Sequence, residues 1–94
     1  QTPRPQSPRK MKIIYTKHAL KKFQDLAGYG INVRKSKISS TIRSPKYKAK
    51  DNGNIISVSE FDREHNIRVV HKSENHDIII ITVYVCRKGR YGEY

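Results

Sequence analysis

The sequence predicts an α+β fold in which two N-terminal helices pack on one face of an antiparallel sheet of about four strands. Hydrophobic residues recur at helical spacing up to about residue 43, and the pattern becomes extended after Pro45. Short turn motifs then separate successive apolar runs. Helices followed by a run of consecutive strands are typical of α+β domains, because neighbouring strands in the chain usually pair with each other.

Residues 1–10 are predicted to form a disordered, basic, proline-rich arm. This segment contains three of the four prolines of the chain and has no apolar periodicity. Residues 11–94 are predicted to form one small domain, because a chain of 94 residues supports a single core. The domain opens with "MKIIYT", whose β-branched and aromatic residues predict a first strand.

Two helices are predicted between this strand and Pro45. The first covers residues 18–27, with Thr16 as its N-cap and the segment "GYG" at its end. The second ends near Arg43, because the residue before a proline avoids helical backbone angles. Apolar side chains at helical spacing mark the inner side of each helix. They are Leu20, Phe23 and Ala27, joined by Ala19 and Leu26, in the first helix, and Ile31, Ile38 and Ile42 in the second.

Four strands are predicted after Pro45, in the segments "KYKAK", "IISVSEF", "NIRVVHK" and "DIIIITVYVCR". The motifs "DNG", "DREHN" and "SENH" supply the turns between them. In the third of these strands, Ile67, Val69 and His71 alternate with Arg68, Val70 and Lys72. Only one set can face the helices. If the first set is core, His71 ends that row at the sheet rim, and if the second set is exposed, Arg68 and Lys72 line a basic surface.

The last strand is expected to be central, because apolar residues occupy both of its sides. Alternation divides its side chains into a purely apolar row, expected to face the helices, and a row with polar members on the open side of the sheet. The first row is Ile79, Ile81, Val83 and Val85, and the second is Thr82, Tyr84 and Cys86.

The charge of the chain indicates an anionic partner. Twenty Lys and Arg residues against eight Asp and Glu give a formal charge of +12 and a pI near 10.1. Nucleic acid is the first candidate, and an acidic protein or an anionic membrane surface are the others. The longest apolar run, Ile78–Ile81, is too short to span a bilayer. With a single cysteine, Cys86, which rules out an internal disulfide, we expect a soluble cytoplasmic protein.

Aromatic residues lie within two basic clusters. Tyr47 lies in the first cluster, between residues 34 and 50, and Tyr91 lies in the second, "RKGRYGEY". Rings interleaved with cations can stack on bases while the cations hold phosphates. The RNA-binding candidates are therefore Lys46, Tyr47, Lys48, Arg87, Lys88, Arg90 and Tyr91, together with Thr82 on the last strand.

Any chemistry is expected to be free of metals and cofactors. The chain has no phosphate-binding glycine loop, no paired metal-ligand spacing and no nucleophile elbow, and its acids are scattered. RNA can be cleaved without a metal, because its own 2′-hydroxyl is the nucleophile and the protein supplies a base, an acid and cations. His18 is the candidate base or acid, since Lys22 lies on the same helix side.

The order of these signals resembles the domain-of-unknown-function family numbered 4258. Its pattern has a strand, a Ser or Thr, and His-Ala at the start of the first helix. Gly-Ile precedes the second helix, a proline follows it, and the last strand carries Thr-x-Tyr. The family commonly has an arginine where this chain has Lys22. The matching positions, which span nearly all of residues 12–94, are Thr16, His18, Ala19, Gly30, Ile31, Pro45, Thr82 and Tyr84.

This resemblance implies a fold similar to the RelE and BrnT ribonuclease toxins, with the RNA site on the sheet face opposite the helices. It implies a metal-independent endoribonuclease toxin that is restrained by an acidic antitoxin or immunity protein. The catalytic candidates are His18, Lys22, Arg68 and Tyr84. Two alternatives remain, namely a non-catalytic nucleic-acid-binding module and a protein-interaction domain that docks an acidic partner.

Overall fold

The computed structural model describes residues 12–89, so the predicted arm and the candidates Arg90 and Tyr91 lie outside the described residues. Within this range the fold is α+β, with two helices and a five-stranded sheet. The elements in chain order are β1 (Ile13–Tyr15), α1 (Lys17–Gly28), α2 (Lys35–Arg43), β2 (Tyr47–Asp51), β3 (Asn54–Glu60), β4 (His65–Glu74) and β5 (Asp77–Arg87).

The sheet is mixed, which corrects the prediction of a four-stranded antiparallel sheet. The strand order is β1-β5-β4-β3-β2, and β2 to β5 form the predicted antiparallel meander. β1 adds a fifth strand, parallel to β5, with Ile14 opposite Ile79. As a result β5 is an interior strand, as predicted, with β4 on one side and, at Ile78–Ile80, β1 on the other.

Two tight turns fix the ends of the meander. Asn52 and Gly53, with φ of 50° and 83°, join β2 to β3, and Asn75 and His76, with φ of 51° and 70°, join β4 to β5. Two successive residues with positive φ are the mark of a type I′ hairpin turn, which Asn-Gly favours. The predicted turns at "DNG" and "SENH" are therefore confirmed.

The helices agree with the prediction except in detail. Thr16 is the N-cap of α1, because its Oγ1 accepts a hydrogen bond of 3.1 Å from the Ala19 backbone N–H. Of the predicted inner residues of α1, Ala19 is fully buried, whereas Leu20 is 44% exposed. The predicted inner residue Ala27 is exposed as well. α2 begins at Lys35, so Ile31 precedes the helix and does not belong to its inner side.

The core lies between the helices and one face of the sheet. On β4 the set that faces the helices is Ile67, Val69 and His71, which are 0%, 0% and 4% exposed. Both helices contribute, with Ala19 from α1 and Ile38 from α2, each 0% exposed. The buried core residues are Ala19, Ile38, Ile67, Val69, Ile78, Ile80 and Val83.

A β-bulge in β5 changes which of its residues face the helices. Val70 is opposite Thr82, but the next residue, His71, is opposite Ile80, so Ile81 is an extra residue without a partner in register. Ile78 and Ile80 therefore face the core before the bulge, and Val83 and Val85 face it afterwards. The expected row of Ile79, Ile81, Val83 and Val85 is wrong in its first half.

Candidate nucleic-acid interface

One line of side chains crosses the open face of the sheet from β2 to β5. Tyr47 is opposite Val58, Val58 is opposite Arg68, and Arg68 is opposite Tyr84. Residues that face each other in antiparallel pairs lie on the same side of the sheet. We call these four residues the tyrosine row. With strands about 4.8 Å apart, the backbones of Tyr47 and Tyr84 are about 14 Å apart.

Both tyrosines of this row are accessible, and each has a lysine at its ring. Tyr47 is 40% exposed and Tyr84 is 39% exposed. The Nζ of Lys22 lies 4.9 Å from the ring centroid of Tyr84, and the Nζ of Lys46 lies 5.7 Å from that of Tyr47. Both distances are within the range of cation–π attraction. Together with Arg68, these lysines place three positive charges beside the aromatic surface of the row.

Helix α1 reaches the open face because it begins beside β5 at Ile80–Ile81, where the pairing of β5 with β1 ends. Its N-cap hydroxyl, on Thr16, lies 2.9 Å from the backbone O of Ile80 and 3.2 Å from that of Ile81, at the bulge. Ala19, one turn on, is buried in the core, while Lys22 lies over Tyr84 on the other side. Attachment at the bulge therefore places one side of α1 beside the tyrosine row.

His18 belongs to that side of α1. It is exposed and lies four positions before Lys22, the spacing at which side chains of a helix are neighbours. Three of the four catalytic candidates, Lys22, Arg68 and Tyr84, thus meet on the open face, with His18 one helical turn away. Although α1 packs on the opposite face of the sheet, Lys22 reaches the open face at Tyr84.

Two buried polar groups flank the tyrosine row. Thr82, adjacent to Tyr84 on its side of β5, is 6% exposed, and Asn66, adjacent to Arg68 on β4, is 2% exposed. Neither Thr82 Oγ1 nor Asn66 Oδ1 has a hydrogen-bond partner among residues 12–89. A buried acceptor or hydroxyl without a partner is costly. The Thr82 hydroxyl, predicted to bind phosphate, becomes accessible only when the side chains that cover it move.

Other predicted RNA-binding residues lie away from the row. Arg87 shares the side of Val83 and Val85, and Lys48 is opposite Ser57 on the helix-covered side. Lys88 is on the open side, but its Nζ forms a 2.8 Å ion pair with Glu60 Oε2. That contact lowers the pKa of Glu60 from its ordinary value. Among the described residues of the two basic clusters, Tyr47 belongs to the tyrosine row and Lys46 lies beside it.

The helix-covered face contains a buried polar pair that the sequence did not predict. Ser57 Oγ and His71 Nε2 are 2.9 Å apart, and the two residues are 0% and 4% exposed. Burial, and secondarily the charge of Lys48, lowers the pKa of His71. A substrate cannot reach this pair without opening the core. We assign it to the stability of the fold, like the neighbouring 2.8 Å contact between the hydroxyls of Thr41 and Ser59.

The remaining titratable candidates have local roles. His65 Nδ1 lies 2.9 Å from Asp62 Oδ1, and this hydrogen bond lowers the pKa of Asp62. His76 is part of the β4–β5 turn, with φ of 70°. Cys86 is half-buried and reduced. In the range 12–89 no three His, Cys, Asp or Glu side chains come together in a way that could hold a metal ion.

Comparison with family models, curated proteins and solved structures gives no match. Neither of the two helices described between residues 12 and 89 is long and apolar enough to cross a membrane. The α+β fold and the tyrosine row are therefore the basis on which a function is assigned.

Proposed function

We propose that the protein is a metal-independent endoribonuclease of the toxin class, with a RelE-like arrangement of helices on one sheet face and RNA on the other. The observation that carries this proposal is the convergence of Lys22, Arg68 and Tyr84 on the open face. Two cations beside an exposed ring suit a phosphate whose neighbouring base stacks on the ring. The formal charge of +12 favours the same polyanionic substrate.

The proposed reaction is attack by a 2′-hydroxyl on the adjacent phosphorus. The 2′-oxygen forms a new bond to phosphorus, the bond to the 5′-oxygen breaks, and the products are a 2′,3′-cyclic phosphate and a 5′-hydroxyl. His18 removes the proton from the nucleophile or returns one to the leaving oxygen. Arg68 and Lys22 stabilise the negative charge that accumulates on the phosphorane. Tyr84 positions the nucleotide by stacking.

The partner that restrains this activity is proposed to be an acidic antitoxin or immunity protein in the cytoplasm. Its acidity follows from the substrate: a surface that attracts phosphates also attracts carboxylates. Such a protein would compete with RNA for the tyrosine row and for the lysines at its ends.

The test is incubation of wild-type protein and His18→Ala with total RNA in EDTA, followed by analysis of the fragment ends. Cleavage by the wild type with cyclic phosphate ends, and at least tenfold slower cleavage by His18→Ala, is the expected result. His76→Ala is the matched control, since it removes an exposed histidine from a turn remote in sequence. Intact RNA in all reactions would overturn the proposal for those substrates.

A non-catalytic nucleic-acid-binding module is the second candidate. It is favoured by the tyrosine row itself, because stacking and charge pairing at Tyr47 and Tyr84 require no proton transfer. This candidate predicts strongly salt-dependent RNA binding and no fragments. A domain that only docks an acidic protein would instead retain little RNA at physiological salt.

A further inference from the structure

The tyrosine row extends well beyond the residues that the proposed reaction uses. Lys22, Arg68 and Tyr84 lie at its β5 end, whereas Tyr47 and Lys46 lie at the β2 end, about 14 Å away across the strands. Tyr47 is nevertheless as exposed as Tyr84 and has its own lysine at 5.7 Å. The proposed cleavage at one phosphate uses Tyr84 and gives Tyr47 no role.

We propose that Tyr47 and Lys46 form a second nucleotide-binding position, so that the open face takes single-stranded RNA across the strands, from Tyr84 to Tyr47. This inference rests on the proposed function, because it takes RNA as the ligand of that face. One base stacks on Tyr84, a second stacks on Tyr47, and Arg68 lies between them beside the intervening phosphates.

The spacing of the two tyrosines across the sheet fits a short stretch of one strand. Bases in a stacked strand rise about 3.4 Å each, so the backbone separation of about 14 Å corresponds to about four rises, or to fewer nucleotides in an extended strand. Duplex RNA cannot use both rings, because its bases are already stacked and paired inside the helix. The row therefore selects unpaired segments such as loops and ends.

Charge on this face supports the same ligand. The ends of the row carry Lys22 and Lys46, and Arg68 lies between. The acidic residue on this side of β3, Glu60, is paired with Lys88 at 2.8 Å. RNA that follows the row therefore passes Lys22, Arg68 and Lys46. The negative charge of Glu60 is offset by Lys88.

The experiment measures binding separately from cleavage. Its probe is a labelled single strand of 2′-O-methyl RNA, which lacks the nucleophilic hydroxyl, compared with a duplex of the same sequence. Tyr47→Leu removes the ring but keeps apolar cover over Val58, which is 2% exposed, and Tyr47→Phe keeps the ring. Tyr29→Leu is the matched control, because Tyr29 is 83% exposed at the end of α1.

The expected result is binding of the single strand about 5- to 150-fold weaker in Tyr47→Leu, and unchanged within about twofold in Tyr47→Phe and Tyr29→Leu. Duplex binding should be the same in all four proteins. Wild-type affinity in Tyr47→Leu, or an equal loss on the duplex, would overturn the second position. Cleavage of natural RNA is scored in parallel. Cleavage without the expected loss of binding in Tyr47→Leu would overturn the second position and leave the ribonuclease proposal unaffected. The expected binding results without cleavage would do the opposite.

Discussion

The two faces of the sheet carry similar polar side chains in opposite settings. On the helix-covered face, Ser57 and His71 are buried and bonded to each other at 2.9 Å. On the open face, Arg68 lies between the exposed rings of Tyr84 and Tyr47. Each ring has a lysine beside it. The identity of a polar residue therefore reveals little about its setting, because the side of the strand on which it lies decides between burial in the core and a place on the open face.

Substitutions of Arg68 and Arg87 are expected to show the largest difference between the two faces. They belong to neighbouring strands, but Arg68 lies on the open face and Arg87 on the other. Arg68→Gln should lower the RNA cleavage rate by about 100- to 1000-fold, the usual loss when one group that stabilises transition-state charge is removed. Arg87→Gln should stay within about threefold. Single-turnover rates on a defined RNA measure both, and equal losses would show that the faces do not differ in function.

The buried pair on the helix-covered face should respond in the opposite manner. Ser57→Ala leaves His71 Nε2 without its hydrogen bond inside the core, at a cost of about 1–3 kcal/mol in the free energy of unfolding. Cleavage by the folded variant should remain at the wild-type rate. Urea unfolding gives the stability, with Ser73→Ala on an exposed position of β4 as the control. A loss of activity without a loss of stability would place Ser57 in the site.

The smallest expected effect is a pH dependence of stability from His71. Its folded-state pKa is lowered below the ordinary value of 6.5, by burial first and by Lys48 second. Below pH 6.5 the unfolded chain therefore binds a proton that the folded protein resists, so stability falls as pH decreases and the contribution levels off below the folded pKa. The slope is at most about 1.4 kcal/mol per pH unit.

Urea unfolding from pH 7.5 to pH 5 measures this contribution as the difference between wild type and His71→Gln. The variant keeps a polar side chain but cannot titrate, so its stability should fall less steeply over the same interval. Parallel curves would show that the buried histidine keeps its ordinary pKa. The carboxyl groups with lowered pKa, Glu60 and Asp62, titrate at lower pH and are common to both proteins.

Much of the fold was predictable because local signals specify it. Thr16 as an N-cap, the turns at residues 52–53 and 75–76, and the bounds of β5 all follow from residues close in sequence. The parallel pairing of β1 was not predictable, since three residues carry too little pattern to select a partner across the chain. The predicted start of α2 is too early, because Ile31 matches the helical spacing although it lies before the helix.

Three members of the tyrosine row, Tyr47, Arg68 and Tyr84, are among the predicted candidates, but their arrangement in one row was not predicted. Alternation alone separates Arg87 from Tyr84 and Lys48 from Tyr47, and this signal was available in the sequence. The bulge was not, because "IIIITV" is apolar on both sides and alternation cannot show where an extra residue lies. The Ser57–His71 pair is not predictable from local sequence, because the two residues lie on different strands.

The bulge at Ile81 has a consequence for how such a surface can change. Continued from the turn at residues 75–76, an unbroken register would place Arg68 opposite Val83 and turn Tyr84 toward the core side with Ile67. One inserted residue instead puts Arg68 and Tyr84 on the same exposed face. Which side chains the open face presents thus depends on this one extra residue. A chain of the same length in which β5 ran without the bulge would turn Val83 and Val85 to the open face.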